Sequence, residues 1–516
     1  MALSPPSKTQ TVAAIDVGSN AIRMVVAQID ETGRVQTLEN LQRAVPLGED
    51  SFPTGHIERE TINLAIEVLR GYQKIMEPYH VDRLRAVATS AVREALNQDV
   101  FLERVYMSTG INVEVVTGSE EARLLYAAVL DAFQNDRLPP EDMSLIVELG
   151  SGSAQLSMFH ENKVVFSGTY ALGTIRLRKA VSPAHRAPVE TVDLIKRFIL
   201  PSIDVIEHGS PLREIRHFVG VGGDVRFAAD QIAKDAGAGA RVKTIKRGDF
   251  LRFAAAMGKL SAEEVSKKYS LPYQDCDTLG PALLTYAELL RRTPAKAVRV
   301  PYVSMRDGIL LDFVAENTGR GLDELEEQMF SSAEHIGQRY QHDVEHARHV
   351  AFLACQMFDL LADEHRLGRR ERRLLKVAAL LHEVGMYISN RSHHKHTEYV
   401  VNNSDVFGLR VEDRSVAACV ARYHRRSLPK TTHANYMALN RADRTTVSKL
   451  AALLRVADAL DRSHTRKVKD LKVELRRDEA ILHVETGEDL TLERLAMRGK
   501  GDMFEEVFGK KIILQS

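Results

Sequence analysis

The chain has 516 residues, of which 44% are hydrophobic and 27% are charged. This size and composition predict a bulky soluble enzyme of about three or four domains, each large enough to bury its own core. Lysine plus arginine and aspartate plus glutamate both number 70. This balance gives no indication of nucleic acid or an acidic polymer as a partner, so any polyanion site has to be local.

Cysteine usage and hydropathy predict the compartment. The three cysteines Cys276, Cys355 and Cys419 lie far apart without metal-ligand spacing, which indicates packing residues in a reducing compartment. No stretch approaches the ~18 apolar residues of a membrane span, and the segment 1–11 lacks the apolar core of a signal peptide. We therefore expect a cytoplasmic protein without a membrane span.

A short glycine loop occurs twice in the chain. The loop 16–20 (DVGSN) follows the apolar run 12–15, and the loop 148–152 (ELGSG) follows the apolar run 145–147. An apparent strand comes after each loop, so the same hairpin is predicted twice. Small residues at the bend let backbone N–H groups converge on an anion, and the acid ahead of it can hold a metal or a water. Two such loops facing each other predict a phosphate cleft.

The first half of the chain has an α/β pattern. Short β-branched runs at 85–89 and 113–116 alternate with amphipathic helices predicted at 59–76 and 120–133. The turn-rich segment 134–140 is the predicted boundary between two lobes.

After about residue 315 the strand pattern disappears. The segment 322–464 is predicted to be almost wholly helical. Alternation returns at 471–475 and 480–484, which predicts a small α+β tail. The predicted domains are 1–135, 136–315, 316–465 and 466–516.

Further polar clusters follow the loops in a recognisable order, at 88–97, 118–123, 171–176 and 218–223. In order and spacing these motifs resemble the exopolyphosphatase and guanosine pentaphosphate phosphatase family. The resemblance covers the whole chain, because long members carry a helical HD-like domain and a small tail. It implies an α/β fold class with two actin-like (ribonuclease H-like) lobes around the phosphate cleft, followed by an all-α HD-like domain and a small α+β tail.

The resemblance also implies an activity and a set of site residues. The activity is that of an exopolyphosphatase, with Glu121 as the general base that deprotonates the attacking water. Ser119 is expected to cap the helix that carries this base. Arg93 is the expected phosphate clamp, with Arg23 assisting. The predicted substrate-binding residues, many through backbone amides, are Gly18, Ser19, Asn20, Arg23, Arg93, Gly150, Ser151, Gly152, Ser153, Gly222 and Gly223.

Phosphoryl transfer from a chain of negative charges needs charge neutralisation, so we expect Mg²⁺, with Mn²⁺ as the alternative. Asp16 and Glu148 are its predicted ligands. The second loop departs from the family pattern, because Glu148 replaces an aspartate and Gln155 replaces a glutamate. Ala21 and Asp224 also stand where the family has serine and threonine. Reduced or altered phosphatase activity therefore stays an open alternative.

The helical half carries its own candidate residues. His346, His382, Glu383 and Asp458 match the metal ligands of HD phosphohydrolases and would suit Mn²⁺, Fe²⁺ or Zn²⁺. The alternative is a degenerate domain whose histidines only form interior hydrogen bonds. Basic clusters at 366–373 and 422–430 are predicted to hold a long polyanion, or else to be solvated helix faces.

The resemblance leaves three functions open. The first is an exopolyphosphatase acting on inorganic polyphosphate, and the second is a guanosine pentaphosphate phosphatase with the same cleft. The third is a catalytically weakened regulator that binds polyphosphate. The resemblance also implies a homodimer, because long family members dimerise.

Overall fold

The computed structural model describes residues 9–133, 138–180, 188–233, 240–319, 321–425 and 427–515. The chain divides into two compact units, Met1–Glu324 and Leu325–Ser516. The finer division into four domains stays a prediction, and part of its first boundary, 134–137, lies outside the described residues. None of the helices in these described ranges is long and apolar enough to cross a membrane.

The first sheet begins with the first of the two predicted hairpins. Its strands are β1 (Gln10–Val17), β2 (Ala21–Ile29), β3 (Val35–Ala44), β4 (Arg83–Ala88) and β5 (Val113–Val115). They lie in the order β3-β2-β1-β4-β5. Strands β1 and β2 pair antiparallel with Asp16 opposite Arg23. Residues 12–15 of strand β1 form a continuous apolar run because a core covers each face of the strand.

The helices of this part follow the predicted pattern. They are α1 (Leu47–Thr54), α2 (Arg59–Met76), α3 (Ser90–Arg93), α4 (Gln98–Thr109) and α5 (Gly118–Ala132). Helix α2 has the bounds that the apolar spacing predicts, and it buries Ile62, Ile66 and Leu69. The expectation that Ser119 caps α5 is wrong: the Thr117 hydroxyl accepts the hydrogen bond from the Glu120 amide at 3.1 Å. Thr117 can do so because it precedes the first helical turn in an extended conformation.

A second sheet contains the second hairpin. Its strands are β6 (Ser144–Leu149), β7 (Ala154–His160), β8 (Lys163–Tyr170), β9 (His217–Val221), β10 (Val242–Lys246) and β11 (Ala297–Pro301). They lie in the order β10-β11-β9-β6-β7-β8. Strands β6 and β7 pair antiparallel with Glu148 opposite Gln155. The repeat of one hairpin, predicted from the two loops, is therefore confirmed.

Among the described residues, six helices accompany this second sheet, and a seventh follows its last strand. They are α6 (Thr174–Ala180), α7 (Pro188–Gly209), α8 (Gly223–Ile232), α9 (Arg247–Met257), α10 (Ala262–Tyr269), α11 (Tyr273–Arg291) and α12 (Met305–Thr318). Helix α12 packs back against α5 and β1. Gly308 allows this close approach, because a Cβ at that position would overlap the backbone of Leu124.

The C-terminal region is helical, as predicted. Its helices are α13 (Leu322–Arg339), α14 (Val344–Leu360), α15 (Ala362–His365), α16 (Arg369–Leu381), α17 (His393–Asn402), α18 (Val411–Arg422), α19 (Ala434–Ala438) and α20 (Arg441–Leu460). Short 3-10 helices lie at Glu77–Tyr79, Leu212–Glu214 and Val384–Tyr387. The three cysteines Cys276, Cys355 and Cys419 are buried, which agrees with their predicted role as packing residues.

The tail returns to mixed structure. It contains β12 (Lys472–Leu475), β13 (Glu479–His483), α21 (Thr491–Lys500), α22 (Asp502–Phe508) and β14 (Lys511–Gln515). Its sheet has the order β12-β13-β14, and the two strands predicted from alternation are confirmed. One core joins Leu482 and Met503 of the tail to Val350, Leu375 and Leu453 of the helices. The tail is therefore part of the second unit's core.

Candidate active site

The two glycine loops line one cleft of about 450 Å³ in the first unit. All but one of the residues predicted for this cleft line it: Asp16, Gly18, Ser19, Asn20, Arg23, Glu121, Glu148, Gly150, Ser151, Gly152, Ser153, Gly222 and Gly223. The exception is Arg93. The structure thus brings together residues that lie more than 200 positions apart in the sequence.

The two loops form the same tight turn. The amide of Gly18 donates to the Ala21 carbonyl at 3.1 Å, and the amide of Gly150 donates to the Ser153 carbonyl at 2.9 Å. The expectation that these two amides bind phosphate is therefore wrong, since closing the turn uses both. Within the two loops, five amides donate to no backbone group of the described chain: those of Ser19, Asn20, Ser151, Gly152 and Ser153. These amides can therefore donate hydrogen bonds to an anion.

Glycine is required at two of the cleft positions for different reasons. A Cβ at Gly152 would overlap the side chains of Phe52 and Ser90, so the glycine allows α1 and α3 to approach the second loop closely. Gly222 has φ +131°, a conformation that residues with a Cβ rarely adopt. It joins β9 to α8, and the first turn of α8 therefore begins at the cleft wall.

Two arginines in the cleft were not predicted from the sequence. Arg226 lies in the first turn of α8, and Arg306 lies in the first turn of α12. The Arg306 guanidinium donates to the Asn40 side chain at 2.8 Å, while its buried Nε finds no partner among the described atoms. Both follow a strand-to-helix turn, as the predicted glycine turn at 218–223 does, and that shared position is the signal that could have found them.

Arg93 occupies a different place from the predicted clamp. Its guanidinium contacts the Glu121 carboxylate and donates to the Val116 carbonyl at 2.6 Å. It is absent from the residues that line the cleft. Arg93 as a phosphate clamp therefore stays a prediction, and in this structure its guanidinium contacts the carboxylate of Glu121.

The two adjacent glutamates at the start of α5 differ sharply. Glu120 is buried and receives two hydrogen bonds of 2.8 Å from Arg123 and one of 3.1 Å from Arg85. Burial opposes ionisation of Glu120, but these two arginines prevail and lower its pKa to about 2. Asp312 on α12 completes this network by accepting from both arginines at 2.8 Å. Glu120 therefore anchors the helix.

Glu121 faces the cleft. Burial raises the pKa of Glu121, although the contact with Arg93 opposes this shift. A carboxylate with a raised pKa is a stronger base near neutral pH than an ordinary one. Position and pKa thus distinguish Glu121 from its neighbour as a group able to accept a proton from water.

Four carboxyl groups line the cleft, those of Asp16, Glu121, Glu148 and Asp224. Burial, followed by the charges of Glu121 and Asp16, raises the pKa of Glu148 to about 8. Burial also raises the pKa of Asp16, while Arg23 at 3.5 Å opposes this. Such crowding of acids fits a divalent cation. The acids of the cleft are not among the described groups in which three ligand atoms lie within 4.8 Å of one another. A cation in the cleft would therefore keep several water ligands, as Mg²⁺ prefers.

Gln155 is an unusual polar residue in this cleft. It is 4% exposed, lines the cleft, and lies opposite Glu148 in the hairpin. It is close enough to Glu121 to lower the pKa of that carboxyl. Even so, neither atom of its amide has a hydrogen bond of normal geometry to a described residue. The amide is therefore available to a water or a substrate.

In the second unit, the structure brings three of the four predicted residues together. One ligand atom each from His346, His382 and Glu383 lies within 4.8 Å of the other two. Asp458 lies close by, with its Oδ1 at 3.8 Å from His346 Nε2, but Lys500 contacts its carboxylate.

The first of the two predicted basic clusters, at 366–373, is largely neutralised by ion pairs. Arg369 pairs with Glu326, Arg370 with Asp413, and Arg372 with Asp359, at distances of 2.5–2.7 Å. Arg422, in the other cluster, contacts Glu398. Arg426 lies outside the described residues. Carboxylates of neighbouring helices, distant in sequence, account for the difference from the expected positive patches.

Comparisons with known proteins agree with this geometry. A model of the Ppx/GppA phosphatase family matches residues 25–317, and one of Ppx/GppA phosphatase, domain III, matches residues 330–498. The chain is 25% identical over 404 residues to a guanosine-5'-triphosphate,3'-diphosphate pyrophosphatase of Aeromonas hydrophila subsp. hydrophila, which covers 77% of each protein.

Solved structures share the α/β fold. A PPX-GPPA enzyme of Aquifex aeolicus is 26% identical with a TM-score of 0.50, covering 59% of this chain and 99% of that one. An exopolyphosphatase from Cytophaga hutchinsonii is 22% identical with a TM-score of 0.52, covering 60% of this chain and 98% of that one. An HD-like identity for the helical region stays a prediction. The chain belongs to the Ppx/GppA phosphatase family and is an enzyme that hydrolyses phosphoanhydride bonds.

Proposed function

We propose that the protein is an exopolyphosphatase that removes the terminal phosphate of inorganic polyphosphate. The observation that carries this proposal is the composition of the cleft. Backbone amides of two glycine loops and the arginines Arg23, Arg226 and Arg306 line the cleft together with four carboxyl groups, and one of these, Glu121, is a base with a raised pKa.

The phosphates bind to hydrogen-bond donors that line the cleft. The loop amides contact the terminal phosphate, and the guanidinium groups of Arg226 and Arg306 hold its neighbours by charge-assisted hydrogen bonds. The buried Nε of Arg306 gains a partner when an anion enters. Because polyphosphate repeats one charged unit, a row of cations suits it without any contact to a base or sugar.

Asp16 and Glu148 would hold Mg²⁺ in the same cleft. The ion supplies neutralisation of the charge that develops on the transferring phosphoryl group. Glu148 carries a proton at neutral pH in the free protein because its pKa is about 8. It releases that proton when it becomes a ligand.

Glu121 accepts the proton of the attacking water. Arg93 fixes the orientation of its carboxylate through the contact described above. Gln155 is the second group that positions this water, since its amide oxygen accepts and its amide nitrogen donates. A glutamine that orients water for attack on a phosphate is an established arrangement in GTP-hydrolysing enzymes. The step is in-line attack on the end phosphorus, and the shortened chain leaves with the bridging oxygen.

A second candidate is a phosphatase of guanosine pentaphosphate. The Aeromonas relative, matched over 77% of both chains, favours it. The reacting centre would be the same, and the difference would lie in what the cleft offers beyond the terminal phosphates.

One experiment separates the candidates. A single preparation is given long-chain polyphosphate and guanosine pentaphosphate, each with Mg²⁺ and with excess chelator, and released phosphate is measured. We expect a higher kcat/KM on polyphosphate, and loss of release in chelator. A higher kcat/KM on the nucleotide would replace the first proposal with the second. Tight polyphosphate binding without release of phosphate would make the protein a regulator.

A further inference from the structure

The second unit holds a compact group of metal-ligating side chains that the proposed function does not use. His346 lies on α14, and His382 and Glu383 lie at the end of α16. Both histidines are buried, with exposures of 1% and 0%. Within the described ranges this is the one group in which three such ligand atoms lie within 4.8 Å of each other.

The hydrogen bonds of the two imidazoles fix which nitrogen is available. His382 Nδ1 lies 2.7 Å from the Ala379 carbonyl, which can only accept, so this nitrogen carries the proton. His346 Nδ1 lies 2.8 Å from the Asp461 carboxylate and is protonated for the same reason. Each Nε2 then keeps a lone pair. Both Nε2 atoms are buried and have no hydrogen-bond partner among the described residues.

This is the arrangement of histidines that bind a metal. In such sites the second ring nitrogen donates to a carboxylate or a backbone carbonyl, which sets the tautomer and the orientation of the ring. A buried acceptor without a donor is otherwise unfavourable. Ligand atoms about 2.0–2.2 Å from Zn²⁺ lie up to about 4.4 Å apart, so small side-chain rotations close the present spacing.

Lys500 distinguishes this group from a four-ligand site. Its ammonium group, at the end of α21, contacts the Asp458 carboxylate, and both side chains are largely buried at 15% and 5% exposure. The Asp458 Oδ1 atom remains 3.8 Å from His346 Nε2. A buried carboxylate already paired with an ammonium gains less from a metal ion than an unpaired one.

We propose that the second unit binds one Zn²⁺-class ion through His346 Nε2, His382 Nε2 and the Glu383 carboxylate, and that Lys500 keeps Asp458 out of the ligand set. Three protein ligands leave a coordination position for water or for an oxygen of a bound ligand. This site is separate from the phosphate cleft and does not depend on the proposed function.

The first arm of the test measures metal binding by the full-length protein. The protein is freed of metal with chelator, then titrated with Zn²⁺ by calorimetry and with Co²⁺ by visible absorption. We expect one ion per chain in the wild type and at least a tenfold loss of affinity in His382→Gln and Glu383→Gln. His365→Gln is the matched control: His365 is equally buried, but both its ring nitrogens are already hydrogen-bonded.

The second arm tests the lysine. Lys500→Met removes the ammonium, leaves Asp458 available, and should tighten Zn²⁺ binding about tenfold or more. Circular dichroism of each metal-free variant checks that it is folded. If His382→Gln does not fold, Glu383→Gln provides the test of the site. A wild type that binds no stoichiometric ion, or a folded Glu383→Gln with wild-type affinity, overturns the site. Unchanged or weaker binding in Lys500→Met overturns the role of Lys500.

Discussion

The two glycine hairpins share a backbone but differ in charge. In β1–β2, Asp16 lies opposite Arg23, and their side chains are 3.5 Å apart. In β6–β7 the equivalent pair is Glu148 and Gln155, so no cation faces the acid across the strands. Both turns close with the same amide-to-carbonyl hydrogen bond, three residues apart.

This difference shows that one supersecondary unit can supply two kinds of acid. Asp16 is compensated within its own hairpin, whereas Glu148 depends on a proton or on a ligand for compensation, and its pKa is about 8. The first hairpin therefore contains the positive charge that compensates its acid, whereas the acid of the second hairpin needs a proton or a bound cation. Four predictions test this contrast, beginning with the base that both acids face.

The largest effect is expected for Glu121→Gln. This substitution removes the base and keeps the shape of the side chain, so kcat should fall by roughly 10²–10⁴-fold while polyphosphate affinity changes little. Steady-state kinetics and a binding titration check this. Glu120→Gln is the matched control and should lower the melting temperature through loss of its arginine pairs. A Glu121→Gln enzyme with more than about a tenth of wild-type kcat contradicts the assignment.

The next effect is expected for Arg23→Gln, which makes the first hairpin resemble the second. Loss of a charge-assisted contact to phosphate should raise KM by roughly 10–100-fold, because such hydrogen bonds contribute about 1.5–3 kcal/mol. With Arg23 gone, the pKa of Asp16 should rise further, since Arg23 opposes its present shift. An unchanged KM would show that Arg23 serves the hairpin and not the substrate.

A smaller effect is expected for Gln155→Leu, which removes the amide while keeping a similar volume. The kcat should fall by roughly 2–10-fold with KM unchanged, as expected for one hydrogen bond to the attacking water. Ser157→Ala is the control, because Ser157 is the next buried residue on the same face of β7 and does not line the cleft. If KM rises and kcat does not change, Gln155 contacts the substrate instead of the water.

The smallest effect concerns stability and pH. The Glu148 pKa is about 8 in the folded protein against 4.5 for an ordinary glutamate, so the unfolded chain loses this proton first. Its contribution to stability is therefore complete below about pH 4.5 and is lost as pH rises through 8. The melting temperature in chelator should fall between pH 5 and pH 9, by at least about 3 °C more in the wild type than in Glu148→Gln.

Mg²⁺ provides the internal check of that measurement. Because only the ionised carboxylate is a ligand, Mg²⁺ should raise the melting temperature more at pH 9 than at pH 6. Parallel pH profiles for wild type and Glu148→Gln would be inconsistent with the raised pKa.

The sequence predicts the parts of the molecule that depend on local pattern. The repeated hairpin, the bounds of α2 and the helical second half follow from spacing alone. Most of what it misses depends on residues far apart in the chain. Arg85 and Asp312 separate the roles of Glu120 and Glu121, and Lys500 pairs with Asp458 from 42 residues away. The hydrogen bond of the Gly18 amide within its own turn could be predicted only if the register of strands β1 and β2 were known. The dimer stays a prediction.

The return of α12 to the first sheet has a consequence for synthesis on the ribosome. The face of that sheet formed by Val12, Ala14 and Val25 packs against Met305, Ile309, Leu310 and Phe313. A nascent chain that has emerged only as far as β5 has all five strands but nothing to cover this apolar face. Complete covering of this face must then wait for about 200 further residues, which takes roughly 10–40 s at 5–20 residues per second. Chaperone occupancy of stalled nascent chains should therefore fall once α12 has left the exit tunnel.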